Sequence, residues 1–139
     1  MRALGLDYGA HTVGVALSDP TGTLATGREI IRRDKESRLR DTLRRIEEIV
    51  RANEVDRVVL GLPLYLDGRI SPRAQKTMEF REKLEKRLGL PVIMQDERLS
   101  SVEAEEILKE RGIPRKDWKE HIDALAAEVI LQDYLNGKA

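Results

Sequence analysis

The sequence predicts an α/β sandwich in which a mixed five-stranded sheet is flanked by helices. Short apolar runs that suit buried strands alternate with longer segments of helical periodicity over most of the chain. The first three runs follow one another with only turns between them, which indicates an antiparallel meander. The later runs are separated by helices, so we expect right-handed crossovers that place those strands parallel to one another.

Composition sets the broad class of the protein. With 139 residues, the chain is long enough for one hydrophobic core, and we expect residues 1–139 to form a single domain. Lys+Arg and Asp+Glu are equal at 25 each, so overall charge does not indicate a nucleic-acid partner, and only local basic patches could. The absence of cysteine excludes disulfides, thiol catalysis and thiolate metal ligands. With no signal-peptide pattern and no membrane-length apolar run, we expect a cytoplasmic protein without a membrane partner.

The first third of the chain contains the predicted meander. Residues 3–9 are a short apolar run that ends in a carboxylate and a glycine. Residues 12–18 alternate apolar and small side chains and form the second predicted strand, and residues 23–31 form the third. Between the last two lies a turn signal that contains Asp19, which we interpret as a turn residue.

The rest of the chain alternates helices with strands. Apolar residues recur at helical spacing in residues 38–53, and residues 57–61 are a β-branched run suited to the middle of a sheet. Ser71 is expected to cap a second helix that ends at Gly89. The remaining predicted elements are a strand over residues 91–95, a helix that begins with a capping box at residues 100–103 and ends at Gly112, a mobile loop over residues 113–120 and a last helix with a broad apolar face.

Three acids fall where a site is expected. Asp7 ends the first strand, Glu97 follows the fifth, and Asp123 is predicted in the first turn of the last helix. Ligands bind beyond the carboxyl ends of strands in such sheets. If the fourth strand lies between the first and the fifth, the gap is about 10 Å, which the longer side chain of Glu97 helps to span.

Clustered carboxylates suit a hard divalent cation such as Mg²⁺ or Mn²⁺. Without a cation, three neighbouring carboxylates would repel one another, whereas two metal ions clamp the attacking and leaving oxygens of a phosphodiester. Each acid also has a structural interpretation of its own. Asp7 could form a turn, Glu97 could pair with Arg98, and Asp123 could favour the helix dipole.

Five motifs occur in order along the chain. They are LDYG at residues 6–9, VGVA with SDP at residues 13–20, GLP at residues 61–63, DERLS at residues 96–100 and DAxAA at residues 123–127. Together they resemble the YqgF family, whose members are also called Holliday-junction-resolvase-like proteins or pre-16S rRNA nucleases. The resemblance covers the chain from residue 1 to about residue 135.

The resemblance implies a ribonuclease-H-like fold and a cytoplasmic bacterial nuclease that helps to mature the 5′ end of 16S rRNA. By motif position, Asp7, Glu97 and Asp123 correspond to the metal-binding acids of the family, which implies Mg²⁺ as the cofactor, with Mn²⁺ as the alternative. The family usually has a threonine and then a basic residue after the first glycine. Here these positions hold Ala10 and His11, so a phosphate contact is either lost or made by His11 only when it is protonated.

The leading hypothesis is therefore a metal-dependent nuclease that acts on structured RNA. Candidate contacts to the phosphate backbone are Arg69, Arg73, Arg98, Lys116 and Lys119, and Trp118 is a candidate for base stacking. The alternative for the basic residues is solubility and surface ion pairs. Competing functions are a resolvase of branched, four-way DNA, which would need a homodimer rather than a monomer, a nucleotide-binding module, and a scaffold without catalysis.

Overall fold

The computed structural model describes residues 1–97 and 100–137, without the side chains of residues 100, 101, 120 and 123. Five strands are present: β1 Ala3–Tyr8, β2 Thr12–Ser18, β3 Ala25–Arg32, β4 Arg57–Leu62 and β5 Val92–Asp96. The α-helices are α1 Arg40–Ala52, α2 Pro72–Leu88, α3 Ser100–Glu110 and α4 Trp118–Leu135, and a 3₁₀ turn spans Arg115–Asp117.

The sheet confirms the predicted fold class and topology. Its strand order is β3-β2-β1-β4-β5. β1 pairs antiparallel with β2, and β2 with β3, whereas β1 pairs parallel with β4, and β4 with β5. β1 is therefore the central strand, and the carboxyl ends of β1, β3, β4 and β5 lie at one edge of the sheet.

Each face of the sheet packs against different helices. Alternate residues of β1, such as Leu4 and Leu6, join the main core with the buried residues of α1 and α2. The opposite face carries smaller residues, such as Ala3 and Ala16, and packs against α4. α3 packs on α4 through a third apolar cluster that includes Leu108. The chain thus forms helix, sheet and helix layers, with burial on both faces of the central strands.

Local sequence signals account for several element ends. The Ser71 hydroxyl accepts a hydrogen bond from the Ala74 amide at 2.9 Å, which confirms the predicted cap of α2. Gly89 ends that helix in the left-handed conformation, with φ of 66°. Asp19 is the predicted turn residue, since its carboxylate accepts hydrogen bonds from the amides of Thr23 and Leu24 at 2.7 and 3.1 Å.

Three predictions differ from the structure in position or type. β3 begins at Ala25, because the turn held by Asp19 occupies the two residues before it. The expected loop over residues 113–120 instead contains a 3₁₀ turn and the start of α4. Position 123 therefore lies in the second turn of α4, not the first. The expected capping box at residues 100–103 lies partly outside the described side chains.

The helices are those of a globular α/β layer arrangement. Within residues 1–97 and 100–137, no helix combines the length and the apolar character that a membrane crossing requires.

Candidate active site

Asp7 lies near the carboxyl end of the central strand, on the face that packs against α4. The alternation of β1 places Leu6 and Tyr8 in the main core, so Asp7 between them points to the opposite face. Its side chain is partly buried, and its partner across β2 is Gly14. Because glycine has no side chain, Gly14 places none beside Asp7 on this neighbouring strand.

Glu97 follows β5 directly, and its carboxylate reaches back over β4. The Glu97 amide donates to the Leu62 carbonyl at 3.2 Å, which holds the chain at the sheet edge. A Cβ atom built on Gly61 would lie 2.9 Å from the Glu97 carboxyl carbon and 3.0 Å from its Oε2. The carboxylate therefore occupies the place where any other residue at position 61 would put its side chain.

The sheet register relates this carboxylate to Asp7. Leu6 pairs with Leu60, so the next positions along these parallel strands, Asp7 and Gly61, are neighbours. Because Glu97 covers Gly61, its carboxylate is about one strand spacing from β1, or about 4.8 Å, rather than the two spacings that separate β5 from β1. The predicted closure of the gap by the longer Glu97 side chain agrees with this geometry.

α4 brings position 123 to the same edge of the sheet. The Gln132 side chain accepts from the Ala25 amide at 2.9 Å, and the Glu128 side chain accepts from the Gly27 amide at 3.0 Å. The helix therefore runs opposite to β3 and β1, with its N-terminal part over the carboxyl ends of these strands. Position 123 is one turn before Ala127, whose carbonyl oxygen lies 3.1 Å from a Cβ built on Gly5. The side chain of Asp123 lies outside the described part of the structure.

The described acids alone do not form a complete metal site. Among the side chains that the structure describes, no group of three or more Asp, Glu or His residues is placed to hold a metal ion. Asp7 and Glu97 supply two carboxylates at one edge, and a third would have to come from position 123. The proposed three-acid site thus remains a prediction that rests on two described carboxylates and one helix position.

On the opposite face of the sheet from Asp7, the end of β1 is tightly packed around Tyr8. Its ring stacks on Phe80 with centroids 4.0 Å apart and an interplanar angle of 9°. The Arg33 guanidinium lies 4.8 Å from the centroid of the Tyr8 ring and donates from Nη2 to the Gly9 carbonyl at 2.6 Å. Since Tyr8 and Gly9 follow Asp7 directly, these contacts fix the backbone that carries the carboxylate.

Arg73 completes this packing, which places it behind the candidate site. Its guanidinium lies 4.9 Å from the Tyr8 ring centroid and forms an ion pair with Glu36, which also accepts a hydrogen bond from the Tyr8 hydroxyl. The hydrogen bond from Arg73 lowers the pKa of Glu36 below its usual value. Burial is the main cause that raises the pKa of Tyr8. Arg73 therefore has a structural partner on the face opposite Asp7, in addition to its predicted phosphate contact.

The other predicted basic contacts have different surroundings. Arg69 is exposed and pairs with Asp67 through an Nε–Oδ2 distance of 2.6 Å. Lys116 and Lys119 are exposed, in the 3₁₀ turn and in the first turn of α4. Arg98 lies outside the described residues.

Trp118, the residue predicted to stack on a base, is packed into the protein more than that role requires. Its ring is partly buried against the cluster that holds α3 on α4, and its Nε1 donates to the Ile113 carbonyl at 2.9 Å. The Arg115 guanidinium lies 5.1 Å from the ring centroid. Much of the indole surface therefore has a partner within the protein.

The exposed aromatic residue at the candidate edge is instead Tyr65, which sequence reasoning did not select. Tyr65 is 46% exposed and lies in the loop that follows β4. The signal that could have identified it was the unusual apolar character of residues 64–66 in a loop between a strand end and a helix cap. Leu66, the next residue of this loop, is 76% exposed.

Comparisons with known proteins agree with this architecture. A family model described as "RuvX: Holliday junction resolvase" matches residues 1–137. A protein of Agathobacter rectalis called "Putative pre-16S rRNA nuclease" is 50% identical over 136 residues, which cover 98% of this chain and 95% of that protein. Among solved structures, RuvC of T. thermophilus in complex with a Holliday junction substrate superposes with a TM-score of 0.58 at 19% identity, covering 99% of this chain and 94% of that one. The fowlpox virus Holliday junction resolvase gives a TM-score of 0.60 at 15% identity and covers 99% of each chain.

The strand order and the helix layers define a ribonuclease-H-like fold, which the two resolvase structures share. The family match extends over nearly the whole chain, and the relative at 50% identity does so as well. The chain belongs to the RuvX family of Holliday-junction-resolvase-like proteins, to which the curated pre-16S rRNA nucleases are closely similar.

Proposed function

We propose that this protein is a metal-dependent nuclease that hydrolyses phosphodiester bonds at the carboxyl edge of its sheet. The observation that carries the proposal is the position of the Glu97 carboxylate over Gly61, one strand spacing from the strand of Asp7. This placement requires a glycine on β4 and brings two negative charges together on one partly buried face. Neighbouring carboxylates repel each other unless a cation or proton lies between them, so the arrangement favours a cation.

The donor set fits a divalent metal ion. Asp7 and Glu97 offer hard oxygen ligands, which Mg²⁺ and Mn²⁺ prefer, and Asp123 would add a third from α4. The space above Gly61 that Glu97 fills is the cradle in which its carboxylate is held. When bound, the metal would supply charge stabilisation for the phosphodiester and a more acidic water molecule.

The residues of this chain would position the reaction rather than take part in covalent chemistry. Asp7 would orient ligands from the rigid central strand, whose end is fixed by the Tyr8 packing and by Arg33. Glu97 would face Asp7 across β4 and accept a hydrogen bond from the attacking water. Because the Glu97 carboxylate lies about one strand spacing from the strand of Asp7, both carboxylates could act on one phosphate group.

The names of the relatives favour RNA as the substrate. Curated relatives at about half identity over nearly the whole chain carry the name "Putative pre-16S rRNA nuclease", which supports processing of that RNA as the role of this chain. The family resemblance implies the 5′ end as the place of processing. The same relationship supports a cytoplasmic location, where precursor ribosomal RNA is processed. The family description supports a second candidate, the resolution of four-way DNA junctions, which would need a homodimer to make symmetric cuts.

One experiment separates these proposals. Wild type and Asp7→Asn would be incubated with a pre-16S 5′-leader RNA and with a synthetic four-way DNA junction, each in Mg²⁺, in Mn²⁺ and in EDTA. Asp41→Asn is the matched control, because this aspartate is exposed on α1, which packs on the face of the sheet opposite to Asp7. We expect metal-dependent cutting of the RNA that is lost in Asp7→Asn and retained in Asp41→Asn.

The other outcomes are equally informative. Cutting of the junction alone would support the resolvase. Cleavage that persists in EDTA or in Asp7→Asn would contradict the metal mechanism. Binding of either substrate without cutting under any condition would favour the non-catalytic scaffold.

A further inference from the structure

The exposed apolar side chains of the protein are concentrated at the candidate active edge. Six large hydrophobic residues are exposed among those that the structure describes, and four of them follow the carboxyl ends of β4 and β5. These four are Tyr65, Leu66 and Ile70 in the loop after β4, and Val102 in the first turn of α3. The remaining two, Met1 and Leu24, lie at the opposite end of the sheet.

The loop after β4 is held in one shape by its own hydrogen bonds. The Tyr65 amide donates to the Arg69 carbonyl at 2.9 Å, and the Gly68 amide donates to the Tyr65 carbonyl at 2.8 Å. Gly68 has φ of 90°, a conformation that glycine adopts readily. Asp67 accepts from the Arg69 amide at 3.0 Å and from its Nε at 2.6 Å. The loop is thus a closed turn that projects Tyr65 and Leu66 into solvent.

We propose that this loop is a second substrate-binding element, in which Tyr65 stacks on an unpaired nucleobase of the strand that is cut. The inference rests on the proposed nuclease function and adds a contact outside the carboxylate site. The Arg69 guanidinium lies 5.3 Å from the Tyr65 ring centroid, so the ring is held in place by a cation while the residue remains 46% exposed. A fixed aromatic ring with an adjacent arginine is the arrangement that binds single-stranded bases in sequence-independent complexes.

The position of the loop favours a base near the scissile phosphate. Tyr65 is only four residues beyond Gly61, which lies beneath the Glu97 carboxylate. Its backbone amide is bonded to the Arg69 carbonyl across the turn, so the turn keeps its own shape beside the sheet edge. A phosphate at the carboxylates would therefore place a neighbouring nucleotide within reach of the loop.

A nucleobase fits this surface better than a protein partner does. Stable protein interfaces bury well over 1,000 Å² in total, far more than a few side chains on one short turn can provide. One base needs only an aromatic face and some flanking apolar surface, which Leu66 and Ile70 supply. An unpaired base is required, because stacking on Tyr65 means leaving the helical stack. The proposal therefore favours substrates with bulges, loops or single-stranded ends.

The test measures binding in the Asp7→Asn background, so that cutting does not interfere. The probes are a short RNA duplex with one bulged 2-aminopurine and the same duplex with 2-aminopurine base-paired. Affinity is measured by fluorescence anisotropy, and stacking is measured by 2-aminopurine fluorescence. The variants are Tyr65→Ala and Tyr65→Phe, with Leu24→Ala as the matched control at the opposite end of the sheet, where Leu24 is 61% exposed.

Tyr65→Ala should weaken binding of the bulged duplex about 5- to 150-fold and abolish the fluorescence change, because one stacked base is lost. Tyr65→Phe should retain both, and neither variant should change binding of the paired duplex.

Equal loss on both duplexes, or no loss with Tyr65→Ala, would overturn the stacking proposal while leaving the nuclease intact. A change in sedimentation instead of RNA affinity would assign the loop to self-association. If the Asp7→Asn protein binds neither duplex and wild type cuts no substrate, the proposed function itself fails, and the stacking proposal fails with it.

Discussion

Gly61→Ala tests the geometry of the candidate site more directly than removal of a carboxylate does. The added methyl would lie 2.6 Å from Ile130 Cδ1 and 2.9 Å from the Glu97 carboxyl carbon. Ordinary van der Waals contact begins at 3.4 Å, so the carboxyl group must move by about 0.5 Å or more. The substitution therefore displaces the proposed metal ligand without changing any acid.

The expected effect on stability is small. Both groups that the new methyl meets are ends of side chains that can rotate, so overpacking costs about 1–3 kcal/mol at most. Replacement of glycine by alanine also restricts the unfolded chain, which offsets about 0.4–1 kcal/mol of that cost. We expect the free energy of unfolding to fall by no more than about 2.6 kcal/mol.

The expected effect on activity is larger. A displacement of about 1 Å in a catalytic group can reduce the rate about 100-fold, so we expect cleavage to fall at least about tenfold in Gly61→Ala. The assay combines urea unfolding with initial rates on the substrate that wild type cuts. Gly89→Ala is the control. Gly89 has φ of 66°, and nothing lies within 4 Å of the added Cβ. This variant should therefore lose about 1 kcal/mol of stability at a place far from the edge. Full activity in Gly61→Ala, or an equal loss in Gly89→Ala, would refute the proposed position of Glu97.

Three further substitutions test the packing that supports the site. Phe80→Ala removes a ring that is 1% exposed and stacked on Tyr8, and should lower the free energy of unfolding by about 3–5 kcal/mol in denaturant titrations. Ser71→Ala removes the cap of α2 and should cost about 1 kcal/mol in the same assay, whereas a gain would contradict the cap. Because Arg73 lowers the pKa of Glu36, the ionised carboxylate stabilises the fold above the usual pKa, and this contribution disappears as pH falls through the lowered value. Glu36→Gln should therefore be less stable than wild type near neutral pH, and thermal unfolding should show the difference shrinking below pH of about 4.

The fold could be predicted because its signals are local. The three-strand meander follows from short apolar runs with turns between them, and the Ser71 cap and Gly89 end of α2 follow from residue chemistry at those positions. The first part of α4 was missed because residues 113–120 are polar and basic and contain a proline. Trp118 and Ile113 anchor that segment against α3, a contact that depends on the tertiary packing of both helices.

The site was only partly predictable, because some of its contacts depend on tertiary packing. Strand ends locate Asp7 and Glu97 at one edge, since parallel strands share a direction. The partners of the basic residues are not local, as the ion pair of Arg73 with Glu36 joins positions 37 residues apart. Their side chains meet only because the β3–α1 connection and the start of α2 both pack against Tyr8. Sequence therefore identified Arg73 as a cation but not its position behind the site.

The face of the sheet that packs against α4 carries small residues, which explains how this one helix contributes to both the core and the candidate site. A Cβ on Gly5 would lie 2.6 Å from Leu131 Cβ, and one on Gly27 would lie 3.1 Å from the Ala124 carbonyl. The backbone of α4 therefore contacts this face of the sheet directly. On the other face, leucine and valine side chains keep α1 and α2 further from the sheet. The close approach at these glycines fixes how α4 lies on the sheet, and Ala124, which follows position 123, lies against Gly27 of β3. A larger residue at either glycine would lift the helix, so we infer that the same glycines that close the core also set the distance between helix position 123 and Asp7.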